Sequence, residues 1–216
     1  MKLDVRTAQP YSVFIENGLL DRVGEIARES RKPGAKAMVI SDSNVFPLYG
    51  ERVKASLERA GFPVSTFVFP AGEPQKQIST VCDMYRALSE AGFTRTDFIV
   101  TLGGGVAGDM GGFAAATFLR GMAFLQVPTT LLAQVDASVG GKTGVDLPFG
   151  KNLVGAFHQP FAVAADPQAL KSLPEHFFRD GMGEVIKYGC IDDAPLFKAL
   201  EAGTALQDLE DVLARC

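Results

Sequence analysis

Two hydrophobic periods alternate along this chain. Short runs of apolar and β-branched residues predict strands at Ser12–Ile15, Ala37–Ser41, Ser65–Phe69, Asp97–Leu102, Ala123–Val127 and Ala162–Ala165. Between them, apolar residues recur three and four apart, the spacing of one helical face. Val53, Leu57 and Ala60 form one such set, closed by Gly61; Val81, Met84, Tyr85 and Leu88 form another, closed by Gly92. A glycine just past a helix accepts the left-handed conformation that ends it. Strand–helix alternation of this kind predicts an α/β fold, a Rossmann-like, mainly parallel sheet with flanking helices.

The pattern changes near Ser172. The run Ser172-Leu173-Pro174 reads as a helix start, since proline fits a first helical turn, and only helical periods follow. The expected division is an α/β domain over residues 1–171 and the beginning of an all-helical second domain over 172–216. Leu206, Leu209 and Leu213 share one helical face just before Cys216. The expectation is a truncated second domain, with the helices that would cover this face missing.

Composition narrows the partners. At 216 residues, with 47% hydrophobic and 21% charged residues, the chain can bury a real core. Its 21 basic against 25 acidic residues leave a net charge of -4, which argues against a nucleic-acid partner because no broad phosphate-neutralising surface is available. An anionic ligand must then be held by local positive groups. No apolar run approaches the ~20 residues that span a bilayer. The start, MKLDVRTAQPYSVF, lacks the apolar core of a secretory signal. Cys82, Cys190 and Cys216 are widely spaced and form no CxxC pair, as in a reducing compartment. The expectation is a soluble, cytoplasmic protein with no membrane partner.

The candidate chemistry concentrates between Gly103 and Asn152. GGGVAGD (Gly103 to Asp109) follows an apolar strand and opens a helical pattern, Val106–Phe118. Gly103, Gly105 and Gly108 satisfy G-x-G-x-x-G in strand–turn–helix context, where backbone N–H groups at a helix N-terminus can receive a pyrophosphate. A turn needed only for helix–sheet packing is the competing reading. An acidic residue for a ribose usually follows such a turn by about 20 residues; here the best strand-end acid, Asp42, precedes it. Asp42 also suits a plain turn or cap.

Downstream, PTTLLAQVDASVGGKTGVDLPFGKN (Pro128 to Asn152) reads as a glycine-rich loop with Lys142 and Lys151 near Asp136 and Asn152. Lysines in such loops suit phosphate or carboxylate binding. In GMGEVIKYG, Glu184, Lys187 and Tyr188 fall on one helical face. That is either a surface ion pair or a metal ligand beside a substrate contact. A zinc site usually takes three protein ligands, and only His158 and His176 are present, in no paired motif. His158 is expected in a structural hydrogen bond and His176 on an exposed helix.

These segments together resemble the 3-dehydroquinate synthase family of sugar-phosphate cyclases. The resemblance rests on AGEPQK (Ala71 to Lys76), GGGVAGD, FAAATFLRG, VPTTLLAQVDASVGGKTGVD, GKNLVGAFHQP, LKSLP and GEVIKYG, in register from about Asp42 to Asp192. It implies NAD and a divalent metal, zinc or cobalt, as cofactors. For NAD it implies Asp42, Asn44, Ala71, Gly72, Glu73, Pro74, Gln75 and Lys76, the turn Gly104, Gly105, Val106, Ala107, Gly108 and Asp109, then Thr129, Thr130, Lys142, Lys151, Ala169, Leu170, Lys171 and Ser172. It implies Lys142, Asp136, Asn152, Arg120 and Lys187 around the substrate, and Glu184 as one metal ligand, the others being histidines in segments this chain does not contain. The stretch Glu175–Gly183 departs from the family pattern, so no contact carries over to His176 or Arg179.

The implied reaction is NAD- and metal-dependent conversion of 3-deoxy-D-arabino-heptulosonate 7-phosphate to 3-dehydroquinate and phosphate, a carbon–oxygen lyase step of the shikimate pathway to aromatic amino acids. Family members usually form homodimers. Three other readings stand beside it: an inosose- or valiolone-type cyclase, a metal-dependent alcohol or glycerol dehydrogenase, and a non-catalytic NAD-binding fragment.

Overall fold

The computed structural model describes residues 1–216. Its strands are β1 (Lys2–Val5), β2 (Tyr11–Ile15), β3 (Ala37–Asp42), β4 (Val64–Phe69), β5 (Phe98–Gly103), β6 (Ala123–Pro128), β7 (Lys142–Leu147), β8 (Gly150–Phe157) and β9 (Ala162–Ala165). Its helices are α1 (Val23–Arg28), α2 (Glu51–Arg59), α3 (Ile78–Glu90), α4 (Gly105–Thr117), α5 (Glu175–Ile191), α6 (Ala194–Glu201) and α7 (Leu209–Arg215). Gly61 and Gly92, both at positive φ, follow α2 and α3. Seven strands form one sheet in the order β1-β2-β9-β6-β5-β3-β4, parallel throughout except for β1 against β2.

All six expected strands are present, and the sheet gains β1 at its edge. The loop expected over Pro128–Asn152 is corrected. Its second half enters an antiparallel hairpin, β7–β8, outside the main sheet. Thr143 and Val145 alternate inward, Val145 joining the core beneath α4. Gly144 and Gly155 face each other across the hairpin, where a Cβ on Gly155 would stand 2.0 Å from the Thr143 carbonyl oxygen. Glycines that read as loop punctuation are in fact required by close strand contact.

Each face of the sheet has its own core. On one, α1 and α2 place Val23, Ile26, Val53 and Leu57 against Val39, Val100 and Leu125. On the other, α3 and α4 place Val81, Met84, Leu88, Met110 and Phe113 against Met38, Ile40, Ile99 and Phe124. Burial of each such Leu, Val or Phe stabilises the fold by roughly 1.5–3 kcal/mol.

A third cluster joins Tyr11, Val13, Ile15, Val163 and Ala165 to Leu131, Val135, Val185, Leu196, Val212 and Leu213. The uncovered leucine face expected near the end is therefore corrected. Leu213 is 4% exposed and Leu209 packs beside it, leaving Leu206 outside. The strands β2 and β9 supply the cover. No helix is long and apolar enough to cross a membrane.

The sheet order positions the site. The chain leaves β3 to one side to form β4, then returns to the other side to form β5. The two connections part between β3 and β5, opening a crevice at their carboxyl ends, where open α/β sheets take ligands. Asp42 ends β3 and Gly103 ends β5. The unusual order of acid before glycine turn follows from this topology, because β3 precedes β5 in the chain but neighbours it in space.

Candidate active site

Asp42 and the glycine turn form the wall of the crevice. Asp42 Oδ1 accepts the N–H groups of Asn44 at 2.8 Å and Val45 at 3.0 Å, so the turn reading of this residue is present in the geometry. Its Oδ2 lies 3.4 Å from where a Cβ on Gly103 would stand, and that same Cβ would meet Ala107 Cβ at 2.8 Å. A Cβ on Gly104 would stand 2.9 Å from Thr130 Cγ2. No side chain caps α4, so the first-turn N–H groups of Gly105, Val106 and Ala107 are free to meet an anion. Gly108 serves packing instead, since its Cβ would fall 2.6 Å from Gln126 Oε1.

Beside the turn runs a charged network. Lys76, 7% exposed, sets its ammonium 2.5 Å from Asp109 Oδ2 and donates to Asn152 Oδ1 at 2.7 Å. Burial pushes the Asp109 carboxyl above the ordinary carboxylate range, against the pull of Lys76. The Lys76 carbonyl accepts Asp146 N–H at 2.8 Å, and Asp146 Oδ1 accepts Asn152 N–H at 2.7 Å, tying the hairpin to the segment before α3. Lys151 pairs with Glu73 at 3.0 Å at the exposed rim. Ala71 N–H donates to Ser43 Oγ, bringing the Ala71–Gln75 turn beside the loop after β3.

The third wall follows β6. Thr129 N–H donates to the Gly103 carbonyl at 2.9 Å, and its buried hydroxyl has no partner in the chain. Thr130 Oγ1 accepts Ala133 N–H. A helical turn over Ala133–Ala137 carries Asp136, and Ala137 Cβ lies 3.7 Å from a Cβ position on Gly105. Helix α5 presses on this segment at Gly181, where a Cβ would meet Leu131 Cβ and Leu132 N at 2.6 Å. That approach lets Tyr188 donate its hydroxyl to Asp136 Oδ1 at 3.1 Å. Lys187 pairs with Glu184 and places Nζ 4.1 Å from the Tyr188 ring centroid. Burial and the Asp136 carboxylate both raise the Tyr188 hydroxyl above its usual pKa.

Asp136, Glu184 and Lys187 thus meet through Tyr188, which the sequence reading noted on the helical face without assigning it to the site. Tyr49 was missed altogether. It donates to the Ala169 carbonyl at 3.0 Å and meets Ser172 Oγ, holding the segment Pro167–Ser172 against the segment after β3. Ala169 and Leu170 are buried there, whereas Lys171 and Ser172 are exposed. No motif announces a tyrosine that acts through a residue 120 positions away.

Two residues stand apart. Arg120 follows the far end of α4, next to the start of β6, and Ala123 pairs with Phe98 at the amino ends of these central strands, opposite the carboxyl ends that carry the glycine turn. The separation is about 20 Å, the length of α4. Within one chain Arg120 does not join the other candidates. Lys142 is exposed opposite Phe157 at the open end of the hairpin, about 16–20 Å by strand rise from Asn152 and Lys151 near its closed end. His158 donates Nε2–H to the Met122 carbonyl at 2.7 Å, the structural bond expected of it, and His176 is exposed on α5. No group of three His, Cys, Asp or Glu side chains gathers that could hold a metal.

A mainly parallel sheet with its crevice between β3 and β5 and a helix N-terminus without a cap define the class: a Rossmann-like, doubly wound α/β protein. The family model for the N-terminal part of 3-dehydroquinate synthase matches residues 66–180. The 3-dehydroquinate synthase of Clostridium acetobutylicum is 50% identical over 210 residues, 95% of this chain and 59% of that protein. That of a Cyanothece strain is 52% identical over 200 residues, 92% of this chain and 54% of that protein. The chain belongs to the 3-dehydroquinate synthase family, and it spans just over half the length of these relatives. Among solved structures, the 2-epi-5-epi-valiolone synthase ValA of Streptomyces hygroscopicus, with NAD+ and Zn2+ bound, superposes with TM-score 0.85 at 28% identity, covering 100% of this chain and 61% of that one. A 2-deoxy-scyllo-inosose synthase complexed with carbaglucose-6-phosphate, NAD+ and Co2+ gives 0.80 at 30% identity, over 87% of this chain and 51% of that one. The glycerol dehydrogenase of Schizosaccharomyces pombe, 0.66 at 18% identity over 82% of this chain and 42% of that one, shares the fold.

Proposed function

We propose that this chain carries the NAD side of a 3-dehydroquinate synthase active site, acting in the cytoplasm on 3-deoxy-D-arabino-heptulosonate 7-phosphate. The observation that carries this reading is the uncapped N-terminus of α4 in the β3–β5 crevice, with Asp42 Oδ2 facing it. The fit is physical: the Gly103–Gly104 backbone is bare where Cβ atoms would clash, and the Thr129 hydroxyl is buried and unmatched. The pyrophosphate receives the N–H groups of Gly105, Val106 and Ala107. Asp42 keeps Oδ1 for its turn and offers Oδ2 to a ribose hydroxyl. Glu73 and Lys151 close the rim, and Thr129 and Thr130 flank the path toward Asp136. Lys187 and Asn152 meet the anionic and hydroxyl groups of the substrate, while Tyr188 holds the Asp136 carboxylate in place.

NAD held by these residues would supply a reversible hydride acceptor for a substrate carbinol, with no net consumption. Metal ligation does not close on these residues. Glu184 is paired with Lys187 and no second ligand stands near it, so no step is assigned to a metal here. A non-catalytic NAD-binding role is the second reading, and this single carboxylate favours it. Identity of 50–52% to 3-dehydroquinate synthases, against 28–30% to the inosose and valiolone enzymes, favours the first cyclase over its sisters.

Calorimetric titration of the chain with NAD, followed by a phosphate-release assay, tests the proposal. The expected result is NAD binding, with phosphate released from the heptulosonate substrate without net NADH. Binding without turnover selects the second reading. Turnover of an inosose or valiolone precursor alone, or steady NADH accumulation, sinks the first.

A further inference from the structure

We propose that Tyr49 is a positioning residue for the base end of the bound cofactor, acting through the segment Pro167–Ser172. This rests on the cofactor reading above and adds the residue that sets the far side of its crevice. Tyr49 lies in a π-helical turn, Phe46–Gly50, between the Asp42 loop and α2. Such turns are rare and recur at functional sites. Gly50 leaves room for the Phe46 ring, which a Cβ at that position would strike. The Tyr49 hydroxyl donates to the Ala169 carbonyl at 3.0 Å and meets Ser172 Oγ, which itself lies 3.2 Å from that carbonyl. The three groups close a triangle that fixes the phenol, the serine and the Ala169 backbone against one another. Ala169 is buried in the core shared with α1 and α2, and the Tyr49 ring packs on that same core.

The link matters for where it stands. β3 and β9 are three places apart in the sheet, about 14 Å by strand spacing, yet Tyr49 ties the segment after one to the segment after the other. It does so on the face of α1 and α2, whereas α4 covers the opposite face. The crevice at the carboxyl ends is therefore bounded on one face by the first turn of α4 and on the other by the Tyr49–Ser172 strap. Asp42 Oδ1 accepts Val45 N–H, and the Val45 carbonyl accepts Tyr49 N–H at 3.1 Å, so one run of hydrogen bonds sets both the acid and the strap. A nucleotide with its phosphate on α4 and its ribose at Asp42 Oδ2 directs its base toward the strap, the side α4 leaves open. The exposed end of the strap, Lys171–Ser172, offers backbone carbonyls to an amino group on that base.

Calorimetric titration of the 216-residue chain with NAD and with nicotinamide hypoxanthine dinucleotide tests this. The second ligand differs only in its base, where an acceptor oxygen replaces the amino group. The unaltered chain should prefer NAD by about tenfold, the worth of one hydrogen bond. Tyr49→Phe keeps the ring and removes the hydroxyl. It should weaken NAD binding about tenfold and bring the preference to about threefold or less, with circular dichroism unchanged. Loss of stability alone would lower both affinities alike. Ser172→Ala breaks the strap from its other side and should shift both quantities the same way, so the test holds even if Tyr49→Phe unfolds the chain. Tyr85→Phe, which removes a similar hydroxyl contact with Thr117 away from the crevice, should leave both affinities unchanged. Absence of NAD binding by the unaltered chain would overturn the cofactor reading and this proposal together. NAD binding that Tyr49→Phe and Ser172→Ala leave unchanged, an equal loss for both dinucleotides, or a matching loss from Tyr85→Phe would overturn this proposal alone.

Discussion

The Lys76 ammonium stands 2.5 Å from Asp109 Oδ2 while also donating to Asn152, so one buried cation joins the first turns of α4 to the β7–β8 hairpin. The pair is sequestered enough for burial to raise the Asp109 carboxyl even against its partner. A carboxyl raised in the folded state binds more protons folded than unfolded. Its contribution to stability is full below the unfolded pKa, ~3.9, and is lost as pH rises through the folded value. Lys76→Met removes the opposing ammonium and enlarges that loss. Urea unfolding should show the variant about 2 kcal/mol less stable at neutral pH, with a gap that narrows toward pH 4. A gap independent of pH would mean Lys76 acts by packing alone.

Asp42 has an observed turn role and a proposed ribose role, which one substitution separates. Asp42→Asn keeps an oxygen for the N–H groups of Asn44 and Val45, so stability should move by less than about 0.5 kcal/mol. NAD affinity should fall about 10- to 100-fold through loss of a charged acceptor. Unchanged affinity by calorimetry would leave Asp42 as a turn residue only.

Gly103→Ala drives a methyl group to 2.8 Å from Ala107 Cβ, next to Asp42 Oδ2. We expect a loss of about 1–3 kcal/mol in thermal unfolding from this overpacking. NAD binding should weaken by at least about tenfold as α4 is displaced from the crevice.

Arg120 lies at the wrong end of the strands to touch NAD held at the N-terminus of α4. Arg120→Ala should leave the NAD dissociation constant of the chain unchanged within error. A tenfold loss would show that the crevice reaches much farther along α4 than its N-terminus.

The three thiols should react in a set order. Cys82 and Cys190 are exposed, whereas burial pushes the Cys216 thiol up to about 11. Alkylation at pH 8 followed by mass spectrometry should label Cys216 at least about tenfold more slowly than the other two. Equal rates would show that α7 opens from β2 and β9 in solution.

The sequence by itself determined six of the seven strands of the main sheet, the glycines that end α2 and α3, and the candidate ligand groups. Local period and residue chemistry carry that information, and it survives without knowledge of distant contacts. It also supplied the family, through motifs too specific to arise from composition. Only the tertiary structure decided which of those groups share a site. Strand order brought Asp42 beside Gly103, and α5 packing brought Tyr188 to Asp136. Packing of α7 on β2 closed Leu213 against the sheet, and α4 held Arg120 a helix length away. The hairpin too was hidden, because its glycines look like a loop until the partner strand that requires them is in place. Side-chain period is a property of neighbours in the chain, whereas a site is a property of neighbours in space.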